Sequence, residues 1–145
     1  MKHYKTIAVA VLLSAGMAAA HSGVKNAAVK ARMDAMGGMG ADMKTLGQMA
    51  KGATAFDANA ARAAAASIAA HAAATPGLFQ AEETDPKSEA LPAIWTNFQD
   101  FTTKSTELET VALGLSSSIS KPEDLGPALA ALGQTCKSCH QAYRQ

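Results

Sequence analysis

The chain has 145 residues, 48% of them hydrophobic, 17% charged and 5% aromatic, a length that fits one domain around a single core. Alanine abounds while valine and isoleucine are scarce, which argues against an all-β fold and predicts an all-α one. Basic and acidic side chains number 13 and 12, for a formal net charge of +1 with no block of like charge, so neither nucleic acid nor an anionic membrane is expected as a partner.

Lys2, His3 and Lys5 precede a short apolar stretch from Ile7 to Met17, and Ala18, Ala19 and Ala20 then supply the small residues a signal peptidase requires. Residues 1–20 are expected to be a secretory signal peptide and 21–145 the folded domain, with His21 at the mature N-terminus. The apolar stretch is shorter than the ~20 residues that cross a bilayer, so no membrane span is expected after cleavage. A bacterial periplasm is the simplest destination.

Four helical stretches follow. Val24 to about Met49 repeats apolar residues at helical spacing and is broken by Gly52 and Thr54. Asp57 is a good N-cap for an alanine-rich second helix, which is expected to stop at Thr75 before Pro76 and Gly77. Gln80 to Glu89, with Pro86 and several charges, reads as a long connection. Leu91, Pro92, Ile94 and Trp95 open a third helix that ends at the serines near 116–118. Pro122, Glu123 and Asp124 have the first-turn chemistry of a fourth, which runs to about Tyr143.

Alternating spacings of three and four define a packing seam on each long helix. The first carries Val29, Arg32, Met36, Met39, Met43, Leu46 and Ala50; the third Ile94, Phe98, Phe101, Ser105, Leu108, Ala112 and Leu115; the last Leu125, Leu129, Leu132, Cys136, Cys139 and Tyr143. Such seams predict an antiparallel four-helix bundle, a fold that builds cofactor sites from side chains on facing helices.

The chemistry lies in Cys136, Lys137, Ser138, Cys139 and His140, the only two cysteines of the chain with a histidine directly after the second. This is the pattern for covalent attachment of haem c, and chance would produce it roughly once in 2,500 such chains. Residues three apart share a helix face and present two sulfurs to the two vinyl edges of a haem, and His140, four after Cys136, lies on that face to bond the iron. A dithiol redox site would open a helix after a strand, and no strand precedes this one. A structural zinc needs a fourth ligand, for which the mature chain offers only His21 and His71, and His71 reads as a polar-face residue of the second helix.

A CxxCH near the C-terminus, followed by Tyr143 and Arg144 in an exported chain of four helices, resembles the cytochrome c prime family, the class II c-type cytochromes. Arg32 and Met36 four apart, the Met49-Ala50-Lys51-Gly52 turn and the Leu91-Pro92-Ala93-Ile94-Trp95 segment carry the likeness through the chain. The resemblance implies one covalent haem c on Cys136 and Cys139, with His140 as proximal ligand and Met36 on the distal side. In one branch of the family a methionine bonds the iron and gives a low-spin centre; in the high-spin branch the distal residue only fills its pocket. Met36 through Gly40, with Met43, Leu46 and the Lys51-Gly52 turn, looks more like the low-spin branch. The other methionines of the first helix read as core filler.

Arg32 occupies a seam position where a charge is costly unless paired. A haem propionate is one natural partner, and a reach along its own stem to solvent is the alternative. Glu89 matches a position whose counterpart in relatives touches the haem region. Arg144 matches an arginine beside the proximal face, or frays as the penultimate residue. No nucleophile, phosphate loop or paired-carboxylate constellation marks an enzyme. Two functions remain: a periplasmic electron carrier serving redox partner proteins, and a five-coordinate haem protein binding nitric oxide or carbon monoxide. Family members often dimerise through their first helices, so a homodimer is one expected assembly, although Gly37, Gly38 and Gly40 would equally suit close packing within one chain.

Overall fold

The computed structural model describes residues 23–145; the expected signal peptide, residues 1–20, and His21 lie outside the described residues. Helix α1 spans Ala27–Ala50, starting three residues later than the apolar pattern predicts because Asn26 caps it, its Oδ1 accepting from Ala28 N at 2.9 Å and Val29 N at 3.1 Å. Gly52, at φ 70°, takes the left-handed turn that leads away from the helix end. Asp57 caps α2 as expected, accepting from Asn59 N and Ala60 N at 2.8 and 3.1 Å.

Helix α2 corrects the sequence expectation, since it runs through Pro76 and covers Ala58–Leu78. Proline has no N–H to give to the carbonyl four residues back, which is that of Ala72. A tertiary donor takes its place: the Ser105 hydroxyl, buried on the facing helix, donates to Ala72 O at 2.7 Å. The helix therefore continues without an orphaned buried acceptor.

The third expected helix is two. A single turn, α3 at Ala93–Thr96, breaks at Asn97 before α4 at Phe98–Ser118. The break lets Trp95 Nε1 donate to Phe79 O at 2.8 Å, while the Asn97 carbonyl accepts from Phe101 N at 3.1 Å. A 3₁₀ turn, Pro122–Asp124, then leads into α5 at Leu125–Tyr143. Backbone N–H groups of Ser120 and Lys121 donate to Asp124 Oδ2 and hold its carboxyl below the usual range.

These helices form an antiparallel four-helix bundle, the arrangement shared with the solved structures described below. The seams are largely as expected: Val29, Arg32, Met39, Leu46, Phe101, Ser105, Leu108, Ala112, Leu125 and Leu132 are buried. At the end of α1 the buried residue is Met49 and not the expected Ala50, which is exposed. One end of the bundle is closed by the small residues Ala61, Ala65 and Ala69 of α2, which share one buried cluster with Ile68, Ala112, Leu125 and Ala128. Where α1 and α2 meet, a Cβ on Gly38 would stand 2.6 Å from His71 Nε2, so Gly38 serves close packing within the chain and His71 is partly covered by it. Among the described residues no helix is long and apolar enough to cross a membrane.

Ser105→Ala should lower stability by about 1–3 kcal/mol, the cost of leaving a buried carbonyl without its donor. In a Pro76→Ala background the restored N–H can bond Ala72 O, so the same Ser105 change should cost clearly less. Denaturant midpoints of the four haem-loaded proteins measure that coupling.

Candidate haem site

The bundle is open at the other end, where larger side chains hold the helices around a mainly apolar cavity of about 530 Å³. Helix α1 contributes Met36 and Met43, α4 contributes Phe101 and Leu108, and α5 contributes Cys136, Cys139 and His140. All six residues singled out from the sequence, namely Arg32, Met36, Glu89, Cys136, Cys139 and His140, line this one cavity. Its volume and apolar walls suit a large planar cofactor held at a few polar points.

Continuous helix from Thr135 to Tyr143 puts Cys136, Cys139 and His140 on one face. Both cysteines are free and half-buried; burial pushes the two thiols up, opposed at Cys139 by the Lys104 ammonium. Burial, then the neighbouring Arg144 charge, lowers the His140 pKa, against a smaller opposite pull from Glu89. The neutral imidazole so favoured is the form that bonds a metal. Among the described residues no cluster of three or more histidine, cysteine or acidic side chains could hold a metal ion.

Arg32 is 3% exposed, so the reach to solvent does not occur. Its Nε donates to Leu78 O at 2.9 Å, Nη1 to Glu83 O at 2.8 Å and Nη2 to Ala81 O at 2.6 Å. The guanidinium lies 4.6 Å from the Phe79 ring centre and 5.4 Å from that of Trp95. Burial lowers its pKa and Glu83 works against that. An arginine has five N–H donors, so these three carbonyls do not exhaust it. One seam charge therefore fixes the connection after α2 to α1, one turn from Met36.

Glu89 is half-exposed at the cavity rim and forms an ion pair with Arg144, whose Nε donates to Glu89 Oε2 at 2.6 Å. Arg144 is not frayed. Ala90 and Arg144 form an antiparallel bridge, Leu91 N donates to Tyr143 O at 3.0 Å, and Gln145 N to Glu89 O at 2.9 Å. Tyr143, packed edge-on against Phe101, donates to Asp100 Oδ2 at 2.6 Å, and burial with that bond pushes its pKa to about 12.

Sequence reasoning missed Phe79, Lys87 and Lys104 around the cavity. The seam position of Arg32 was the one available signal, since a buried cation requires partners. It could not say that these lie 46 to 51 residues away. Replacing Arg32 with methionine should strand three carbonyls and cost about 3 kcal/mol, with amides of residues 79–85 losing hydrogen-exchange protection first. Arg32→Lys should recover only part of that, because an ammonium lacks the planar fork.

A family model described as Cytochrome C' matches residues 27–144. Cytochrome c-556 of Agrobacterium tumefaciens strain B2A is 38% identical over 117 residues, covering 80% of this chain and 95% of the relative. A cytochrome c' of Pararhodospirillum photometricum is 33% identical over 120 residues, covering 81% and 95%. Among solved structures, the cytochrome c' of Rhodopseudomonas palustris matches with a TM-score of 0.77 at 27% identity, over 83% of this chain and 98% of that one. The CxxCH helix, the cavity it faces and these likenesses agree: the chain belongs to the cytochrome c' family and carries one covalently bound haem c.

Proposed function

We propose that this protein is a periplasmic electron carrier in which Cys136 and Cys139 hold the haem by thioether bonds and His140 and Met36 bond the iron. The observation that carries this reading is that Met36, on α1, and His140, on α5, line one cavity from two different helices. When bound, the haem supplies a one-electron ferric/ferrous couple. The chain's own residues hold it: the thioether of Met36 is a soft ligand that favours ferrous iron. Arg32 adds a buried positive charge at the cavity wall, which disfavours the more positive ferric state. The remaining donors of Arg32 suit a haem propionate, and the Glu89–Arg144 pair closes the rim beside His140. Export through residues 1–20 would deliver the chain to the compartment where the resembling family acquires its haem. The protein on this reading is a carrier and not an enzyme.

One observation favours a second reading, in which Met36 does not bond the iron and the site takes nitric oxide or carbon monoxide. A cytochrome c' variant from Alcaligenes xylosoxidans, 26% identical over 81% of this chain with a TM-score of 0.71, is a nitric oxide complex.

Met36→Ala decides between them. If the methionine is a ligand, the wild type is low-spin and binds carbon monoxide slowly, and the variant becomes high-spin, loses potential and binds carbon monoxide fast. A wild type that is already high-spin and binds carbon monoxide readily favours the gas-binding reading. Separately, N-terminal sequencing of native protein should begin at His21; an intact Met1 would contradict export by cleavage.

A further inference from the structure

The cavity is walled by helices except along one stretch. Apart from Phe79 and Arg144, which directly follow helices, the lining residues outside a helix are Lys87, Ser88, Glu89 and Ala90, in the connection between α2 and α3. This connection is fastened at both ends: Arg32 binds the carbonyls of Leu78, Ala81 and Glu83, while Glu89, Ala90 and Leu91 pair with the chain's last residues. Its middle hangs on side-chain bonds.

Asp85 supplies most of them. Its Oδ2 accepts from Lys25 N at 2.9 Å and Asn26 N at 3.1 Å, 60 and 59 residues away in the chain, while its Oδ1 accepts from Lys87 N at 2.9 Å. One carboxylate thus joins the start of α1 to the first residue of the cavity-lining stretch. Asn26, the N-cap of α1, adds a second link, its Nδ2 donating to Glu83 Oε2 at 2.6 Å. The amides of Lys87, Lys25 and Asn26 hold the Asp85 carboxyl below the usual range, so it is an ionised acceptor at neutral pH. Asp124 makes bonds of the same kind before α5, but to Ser120 and Lys121, four and three residues back, and so shapes only its own turn.

We propose that Asp85 is a positioning residue of the haem site, latching the middle of the connection to the start of α1 and so setting how wide a passage Lys87 to Ala90 leave for external ligands. The proposal needs only the haem and stands whether or not Met36 bonds the iron. A helical wall opens only when many packed contacts break together, whereas a segment without helix or sheet opens locally once its few tertiary bonds are lost. Pro86, directly after Asp85, has no N–H with which to add another. Bonds from amides to a carboxylate are stronger than those to a neutral oxygen, so neutralising Asp85 weakens the latch while keeping its shape.

Carbon monoxide and n-butyl isocyanide both bind ferrous haem and differ in bulk, so the ratio of their association rates probes the passage on the reduced, haem-loaded protein. Any wait for Met36 to leave the iron is common to both and cancels. Asp85→Asn should raise the isocyanide rate relative to that of carbon monoxide about fivefold or more, Asp85→Ala should raise it further, and Asp85→Glu should return it toward the wild type. Amides of residues 84–90 should lose hydrogen-exchange protection in the same order. Asp124→Asn, the same charge change in a purely local turn, should leave the ratio and those amides as they are. A ratio unchanged in both Asp85→Asn and Asp85→Ala would overturn the proposal, even if exchange protection fell, because Asp85 would then be structural only. An equal change in Asp124→Asn would overturn it too, since general loosening would explain the entry, as would failure of either probe to bind any of these proteins. Ligation by Met36 is read separately from the spin state, so the carrier reading and this one fail independently.

Discussion

A guanidinium buried at a helix seam must be satisfied or it unfolds what surrounds it, and Arg32 meets that constraint with neutral oxygens. Its three bonds to the carbonyls of Leu78, Ala81 and Glu83 hold the end of α2 and the start of the following connection against α1. Phe79 and Trp95 cover the cation, and Trp95 in turn bonds the Phe79 carbonyl. The open end of the bundle depends on this knot. Four helices can close on each other wherever their facing side chains are small; here a charged anchor keeps the connection in place as one wall of a cavity.

The contrast between the two ends comes from side-chain size. At the closed end Ala61, Ala65 and Ala112 are each 0% exposed, and small residues let helix axes approach without leaving voids. At the open end methionines, phenylalanines and a tyrosine line space left between the helices. Pro76 lies where α2 reaches that end, and Ser105 of α4 supplies the missing donor. A local irregularity in one helix is thus compensated by a polar side chain on the helix it packs against.

The chain's last residues complete the site. Tyr143, Arg144 and Gln145 pair with Glu89, Ala90 and Leu91, so the end of the helix bearing Cys136, Cys139 and His140 is fastened to the connection that Arg32 anchors. The same helix presents His140 and Cys136 to the outside. A rigid support is what the proposed carrier function requires, since outer-sphere electron exchange is rapid when few atoms must move.

The sequence by itself determined the helices, the bundle and the haem chemistry, because each rests on short-range spacing. Asp57 caps a helix through amides two and three residues on, seam residues repeat every three or four, and CxxCH puts sulfur, sulfur and imidazole on one helix face. Arg32, Met36, Glu89, Cys136, Cys139 and His140 could all be named from the chain, and they do line one cavity. What Arg32 binds could not be, since its partners are backbone carbonyls, which every residue carries and no sequence pattern marks. The passage of α2 through Pro76 and the break at Asn97 were decided in the same way. Proline ends a helix when its vacated carbonyl has no other donor, and only the packed bundle brings Ser105 to Ala72; the turn at Asn97 pays only when Trp95 can reach Phe79. Local propensity fixes what a segment can form, while tertiary structure decides which buried polar groups find partners, and so where each helix stops and how the cavity is closed.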